Sequence, residues 1–207
     1  MGQDVLIKEK MMTIALIVTL GGDLVRSTEH VGVGYLAAFL RERGYRVKVI
    51  EINERDLSNE STYMPLLEDC HLIGFTTTCV TMKNIIKLSK VIKNMYTNLP
   101  IVYGGHMATF GGLELMQKYN ELDYIIIGEG EYTFYDLLEA LQKDHDLSKI
   151  LGLGYRKEGK VVINENRPLI KNLDSLPFPH RDQFEQHGRN FQYLRISFYF
   201  QIAPSMF

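Results

Sequence analysis

Thr13-Ile14-Ala15-Leu16-Ile17-Val18-Thr19-Leu20, closed by Gly21-Gly22, is the stretch that decides the fold. It is apolar without alternation and too short to span a bilayer. Such a run reads as a strand buried on both faces, which places it inside a parallel sheet. A buried parallel strand needs a crossover, and the next segment supplies one. Val31, Tyr35, Ala38 and Phe39 recur at helical spacing over 31–43, and Gly44 stands where a left-handed helix terminator belongs.

The same rhythm continues outward from this unit. Val47 and Val49 mark a second strand over 46–52, followed by a short helix expected over 63–69. Strands at 72–76, 101–103 and 124–127 then alternate with helices over about 81–96, 112–119 and 132–143. Five strands separated by helices predict a doubly wound α/β fold, a five-stranded parallel sheet covered on both faces by right-handed crossovers. Ligands of such sheets bind at the carboxyl ends of the strands.

The texture changes after residue 147. Segments 152–156 and 161–164 flank Lys157-Glu158-Gly159-Lys160, a hairpin signature expected to form a small β appendage. Leu173-Asp174-Ser175-Leu176-Pro177-Phe178-Pro179 follows, and its two prolines favour an extended path of the kind that links domains. The expected organisation is an extension at 1–12, an α/β domain at 13–146, the hairpin at 147–170, a connector at 171–192 and an aromatic-rich tail at 193–207. That tail is too short to fold as a domain.

Composition narrows the function. The 207 residues are 45% hydrophobic, enough for one substantial core. Net charge is −2, from 23 basic and 25 acidic side chains, so no field favours nucleic acid or an anionic membrane as partner. The two cysteines, Cys70 and Cys79, have no metal-ligand spacing. A cytoplasmic, reduced protein is expected. The chain lacks the GxGxxG and GxxxxGK phosphate motifs and a nucleophile elbow, and the neighbours Glu29 and His30 point apart at a helix start.

What the chain does carry is an unusual set of strand ends. Thr19, Gly21 and Gly22 end strand one, and Gly32, Val33 and Gly34 open its helix. The missing side chains there admit either a flat ligand or close helix-to-sheet packing. Thr76, Thr77, Thr78, Cys79, Val80 and Thr81 end strand three with hydroxyls that could hold a polar ligand or cap the next helix. Gly104, Gly105 and His106 end strand four. Gly128, Glu129, Gly130 and Glu131 end strand five, where carboxylates favour a helix N-terminus and accept hydrogen bonds.

Taken together, these segments resemble the N-terminal cobalamin-binding domain of B12-dependent radical S-adenosylmethionine (SAM) proteins. The resemblance runs from about residue 13 to 184. It rests on Gly32-Val33-Gly34-Tyr35-Leu36-Ala37-Ala38-Phe39-Leu40 with Gly44-Tyr45, on Ile73-Gly74-Phe75-Thr76-Thr77, and on Gly104-Gly105-His106-Met107-Ala108-Thr109. Gly128-Glu129-Gly130-Glu131 and the Leu173–Pro179 connector complete it. It implies a flavodoxin-like, Rossmann-like sheet with the corrin ring on its carboxyl edge and the nucleotide tail entering beside the loops of strands three and four. The cobalamin-binding residues it implies are Thr19, Gly21, Gly22, Gly32, Val33, Gly34, Thr76, Thr77, Thr78, Val80, Gly104, Gly105, His106, Gly128, Glu129 and Glu131.

Two departures shape what else is expected. Corrinoid proteins that give cobalt a histidine use DxHxxG, but around His30 this chain has Thr28 and Val33 at the Asp and Gly positions. No histidine ligand to cobalt is expected. Family members continue after the connector with a CxxxCxxC for a four-iron cluster, whereas here Ile196-Ser197 runs into Phe198-Tyr199-Phe200. The chain is therefore expected to be truncated, to bind a corrinoid and to lack independent catalysis. The iron–sulfur cluster and SAM are expected only in a full-length relative or a partner chain. A subunit of a split enzyme, with a radical SAM domain supplied in trans, is one alternative. A flavodoxin-like flavin or signalling module is another, although a receiver needs acidic residues where Gly21-Gly22 and Thr76-Thr77 stand.

Overall fold

The structure is a computed structural model in which residues 12–19, 30–52, 54 and 56–181 are described. Its elements in chain order are β1 (Thr13–Thr19), α1 (Val31–Glu42), β2 (Arg46–Ile52), β3 (Leu72–Thr76), α2 (Met82–Met95), β4 (Ile101–Gly104) and α3 (His106–Lys118). β5 (Tyr124–Ile126), α4 (Gly130–Lys143), β6 (Leu153–Lys157) and β7 (Lys160–Ile163) follow. The sheet order is β2-β1-β3-β4-β5-β6-β7. The first five strands are mutually parallel and carry the doubly wound, flavodoxin-like order, with β1 beside both β2 and β3.

All seven residues of β1 are buried, as an unbroken apolar run in a central strand requires. Alternation along the strand sends its side chains to two separate cores. Ile14, Leu16 and Val18 pack with α1 and α4. Ala15 and Ile17 pack with α2, α3 and the segment after β2. Each fully buried Ile or Leu contributes roughly 1.5–3 kcal/mol of transfer free energy, so both cores hold the sheet.

Two helix expectations are corrected and the place of the hairpin is sharpened. The segment at 63–69 is not an α-helix: residues Asp56–Ser58, Glu60–Thr62 and Met64–Leu67 form short 3-10 turns. The N–H groups of Leu66 and Cys70 donate three residues back, to the Tyr63 and Leu67 carbonyls at 3.1 and 3.0 Å, the tight pattern of 3-10 turns. The hairpin after residue 147 forms as expected, and it extends the five parallel strands into a seven-stranded sheet. β6 pairs antiparallel with β5, Ile126 opposite Leu153 and Tyr124 opposite Tyr155, and Leu153 and Tyr155 are both buried. It thereby covers an edge that β5 would otherwise expose. Finally, α3 has a first turn, from His106, that the sequence did not mark; non-helical backbone at Gly111 (φ −127°, ψ 24°) divides it from the expected helix beginning at 112. Among the described residues no helix is long and apolar enough to cross a membrane.

Candidate functional site

The carboxyl ends of β1, β3, β4 and β5 meet the first turns of α1 and α4 around a cavity of about 240 Å³. Its floor is apolar, formed by Leu16, Val102, Ile126 and Phe134. Gly74 lies in the middle of β3 at this floor, and a Cβ there would stand 2.8 Å from Leu16 Cδ2 and 3.2 Å from Phe134 Cε2. Only a glycine lets those two side chains close the bottom of the cavity. The upper wall is largely bare backbone. Added Cβ atoms at Gly32, Gly104 and Gly128 would meet nothing within 4 Å, so open space begins at the main chain. Neither α1 nor α4 has a side-chain hydrogen-bonding cap at its N-terminus.

Of the residues singled out in the sequence, Gly32, Val33, Thr76, Gly104, Gly105, Gly128, Glu129 and Glu131 come together on this cavity. Burial, with Glu129 nearby, pushes the Glu131 carboxyl above its ordinary range. Glu129 Oε2 accepts a hydrogen bond from the Ile170 N–H at 2.5 Å. Gly105 has φ +89°, and a Cβ there would lie 2.9 Å from the Thr77 carbonyl oxygen. It forms the sharp turn from β4 into α3 as well as lining the cavity.

The remaining candidates lie elsewhere. The Thr77 hydroxyl is fully buried, donating to the Gly104 carbonyl at 2.7 Å and accepting from the Ala108 N–H at 3.1 Å. Thr78 and Thr81 bond each other reciprocally at the head of α2: Thr78 N–H to Thr81 Oγ1 at 3.1 Å and Thr81 N–H to Thr78 Oγ1 at 3.3 Å. Val80 and His106 are exposed. Gly34 faces the segment at 179–180. Thr19 is buried off the cavity, and among the described residues neither its hydroxyl nor the buried His30 Nε2 at the head of α1 has a hydrogen-bond partner. Burial depresses the His30 pKa below its ordinary value, against an opposing pull from Glu51. Gly21 and Gly22 lie outside the described residues, as does the tail at 193–207.

Sequence reasoning passed over the floor: Gly74, Leu16, Val102, Ile126 and Phe134. A glycine inside a strand pattern marks a close approach, and Gly74 carried that signal. The four apolar residues are indistinguishable from ordinary core until the helices are placed.

Comparison with known proteins gives a consistent result. The family model of the B12 binding domain matches residues 12–138. Among curated proteins, an uncharacterized methyltransferase of Pyrococcus horikoshii is 36% identical over 152 residues, covering 73% of this chain and 33% of the relative. The anaerobic magnesium-protoporphyrin IX monomethyl ester cyclase of a Synechocystis strain is 27% identical over 138 residues, 65% of this chain and 28% of the relative. The chain thus spans about a third of the length of the curated relatives it matches. Two solved structures share the fold. OxsB, a cobalamin-dependent SAM radical enzyme with aqua-cobalamin and SAM bound, has TM-score 0.68 at 23% identity, over 82% of this chain and 24% of that one. The radical SAM methyltransferase TsrM from Kitasatospora setae, with cobalamin and a 4Fe-4S cluster bound, has TM-score 0.66 at 17% identity, over 83% and 32%.

Proposed function

The chain belongs to the B12-binding domain family, and from that premise we propose that it is a cobalamin-binding module whose site is the glycine-walled cavity at the carboxyl rim of the sheet. One observation carries this assignment: the backbone at Gly32, Gly104 and Gly128 borders open space with no atom within 4 Å of a would-be Cβ. A wall of main chain suits a broad, flat ligand that side chains would hold off.

A cavity of about 240 Å³ is too small for a whole corrinoid and suits a planar base entering from above. The nucleotide tail is accordingly assigned to the cavity and the corrin ring to the rim. Leu16, Val102, Ile126 and Phe134 exclude water from the floor. Thr76 and Glu131 supply polar atoms at the wall, with Gly105 holding the β4 turn open beside them. Bound cobalamin supplies a cobalt centre that accepts and releases a methyl group. The role of this chain is to orient the corrinoid, keep its tail dry and leave the opposite face of the ring accessible. Thr28 and Val33 stand where the DxHxxG pattern around His30 needs Asp and Gly, so no histidine ligand to cobalt is assigned.

OxsB is a cobalamin-dependent SAM radical enzyme and TsrM a radical SAM methyltransferase, which supports a place for this module beside a radical SAM domain that performs methyl transfer. Among the described residues no group of three or more His, Cys, Asp or Glu stands close enough to hold a metal ion. Two cysteines cannot supply the three thiolates of a four-iron cluster, so the cluster and SAM are assigned to a radical SAM domain outside this sequence, in a full-length relative or a partner chain. In this proposal the compartment is the cytoplasm, residues 13–146 form the corrinoid unit and 171–192 form the connector.

The test is direct. Purified protein is mixed with hydroxocobalamin, freed of unbound ligand by gel filtration and read by visible spectroscopy. A coloured protein peak with the spectrum of the base-off form is expected. A colourless peak sinks the proposal.

A further inference from the structure

Cobalamin binding leaves one well-anchored part of the molecule without a role, the segment at 164–180. It leaves β7 and doubles back across α4 to α1. Arg167 pairs with Asp136, and its Nε donates to Thr133 Oγ1 at 2.8 Å, both partners being on α4. The Ile170 N–H donates to Glu129 Oε2 at 2.5 Å. Leu176 packs against the core shared by α1 and α4. The segment then reaches the first turn of α1, where the His180 N–H donates to the Gly34 carbonyl at 3.1 Å.

Contact at that far end is unusually close. A Cβ on Gly34 would stand 2.5 Å from the His180 carbonyl oxygen and 3.1 Å from Pro179 Cβ. Pro177 and Pro179 keep the path extended, and Phe178 is 94% exposed, so polar anchors hold the segment more than side-chain burial does. Its two landing points are the helices whose first turns wall the cavity: Gly32 and Val33 on α1, Gly130 and Glu131 on α4. Glu129 belongs to both structures, lining the cavity while it holds Ile170.

We infer that residues 164–180 form a brace that fixes the spacing of the α1 and α4 first turns, with Glu129 linking ligand occupancy to the brace. The brace itself stands on its contacts, and its coupling to ligand rests on the cobalamin reading. Gly34 and Arg167 are then positioning residues, acting on the site through the brace without touching the ligand. This accounts for a glycine at Gly34 that faces away from the cavity.

The experiment uses the full chain, with Arg167→Ala and Gly34→Ala as variants, since neither residue lines the cavity. Without ligand, Arg167→Ala should speed amide exchange about tenfold at Ile170 and also at His180, on the other helix. An effect at Ile170 alone overturns the brace as a unit. Both variants should weaken hydroxocobalamin binding about fivefold or more, and in the wild type the ligand should slow exchange at both amides. If the wild type binds and the variants bind equally well, the coupling is refuted. If the wild type takes up no corrinoid, the cobalamin reading and the coupling fall together, and the ligand-free exchange still decides the brace. Should Gly34→Ala fail to fold, Arg167→Ala decides alone.

Discussion

The two faces of one sheet end differently at the same rim. On the α2/α3 face the strand ends are closed: the Thr77 hydroxyl stitches β4 to the third residue of α3, and Thr78 with Thr81 seals the head of α2. On the α1/α4 face, Gly32, Gly104 and Gly128 leave bare backbone over an apolar floor. Hydroxyl-bearing and glycine-bearing loops looked equally suited to a ligand in the sequence. The difference teaches that a hydroxyl next to unpaired main-chain groups satisfies those first, whereas a glycine has no side chain with which to fill the space it opens.

Gly105 sits at the boundary between the two faces, and breaking it should have the largest effect. Gly105→Val forces a β-branched residue into φ +89° and drives its Cβ to 2.9 Å from the Thr77 carbonyl oxygen. A loss of about 3 kcal/mol or more is expected. Urea denaturation should show a lower midpoint or no cooperative transition. This variant therefore tests the fold and not ligand access. A midpoint within error of the wild type would show that the closed side is far more pliable than its contacts imply.

Thr77→Val attacks the closed side alone. The shape is kept but the hydroxyl is lost, leaving the buried Ala108 N–H without the acceptor it has at 3.1 Å. The Gly104 carbonyl keeps the Thr77 N–H at 2.7 Å, so one orphaned group sets the cost at about 2 kcal/mol. Thr77→Ser should recover most of it. Equal stability of the Val variant would return Thr77 to the list of ligand contacts.

Gly104→Val attacks the open side. Gly104 ends β4 with nothing near its would-be Cβ, and valine suits a strand, so stability should move by no more than about 0.5 kcal/mol. Hydroxocobalamin uptake should fall at least tenfold, about 1.4 kcal/mol. Unchanged uptake would move the ligand off this wall.

Much of this was legible in the sequence, and the failures share a cause. The apolar run at Thr13–Thr19 and the helical spacing after it specify a buried strand and its crossover, because burial on both faces and a period of 3.6 leave separate marks. The glycines at 32, 104, 105 and 128 marked the rim because missing side chains at strand and helix ends open the backbone. What stayed hidden depends on where distant segments land. Nothing local distinguishes Gly34, facing His180, from Gly32, facing open space. Tyr155 and Leu153 read as one strand of an appended hairpin, and its pairing with the edge of β5 becomes visible only once the sheet is assembled.

The smallest effect belongs to His30, at the head of α1 on the open side. Its Nε2 is buried with no hydrogen-bond partner among the described residues, and burial lowers its pKa despite the attraction of Glu51. A pKa below the unfolded value of 6.5 means that the unfolded chain binds the proton more readily. The contribution to stability is therefore fully present above pH 6.5 and is lost as pH falls through the folded pKa. His30→Asn keeps a residue suited to a helix N-cap and removes the titration. Between pH 7.5 and 5.5 the urea midpoint of the wild type should drop more than that of the variant, while titrating groups common to both cancel in the comparison. Parallel curves would mean that the imidazole is hydrated in solution and that the first turn of α1 is more open than its burial indicates. Because His30 stands apart from the cavity, the spectrum of bound cobalamin should be the same in both proteins. A changed cobalt spectrum in His30→Asn would bring this residue into the site and end the separation between the head of α1 and the corrinoid.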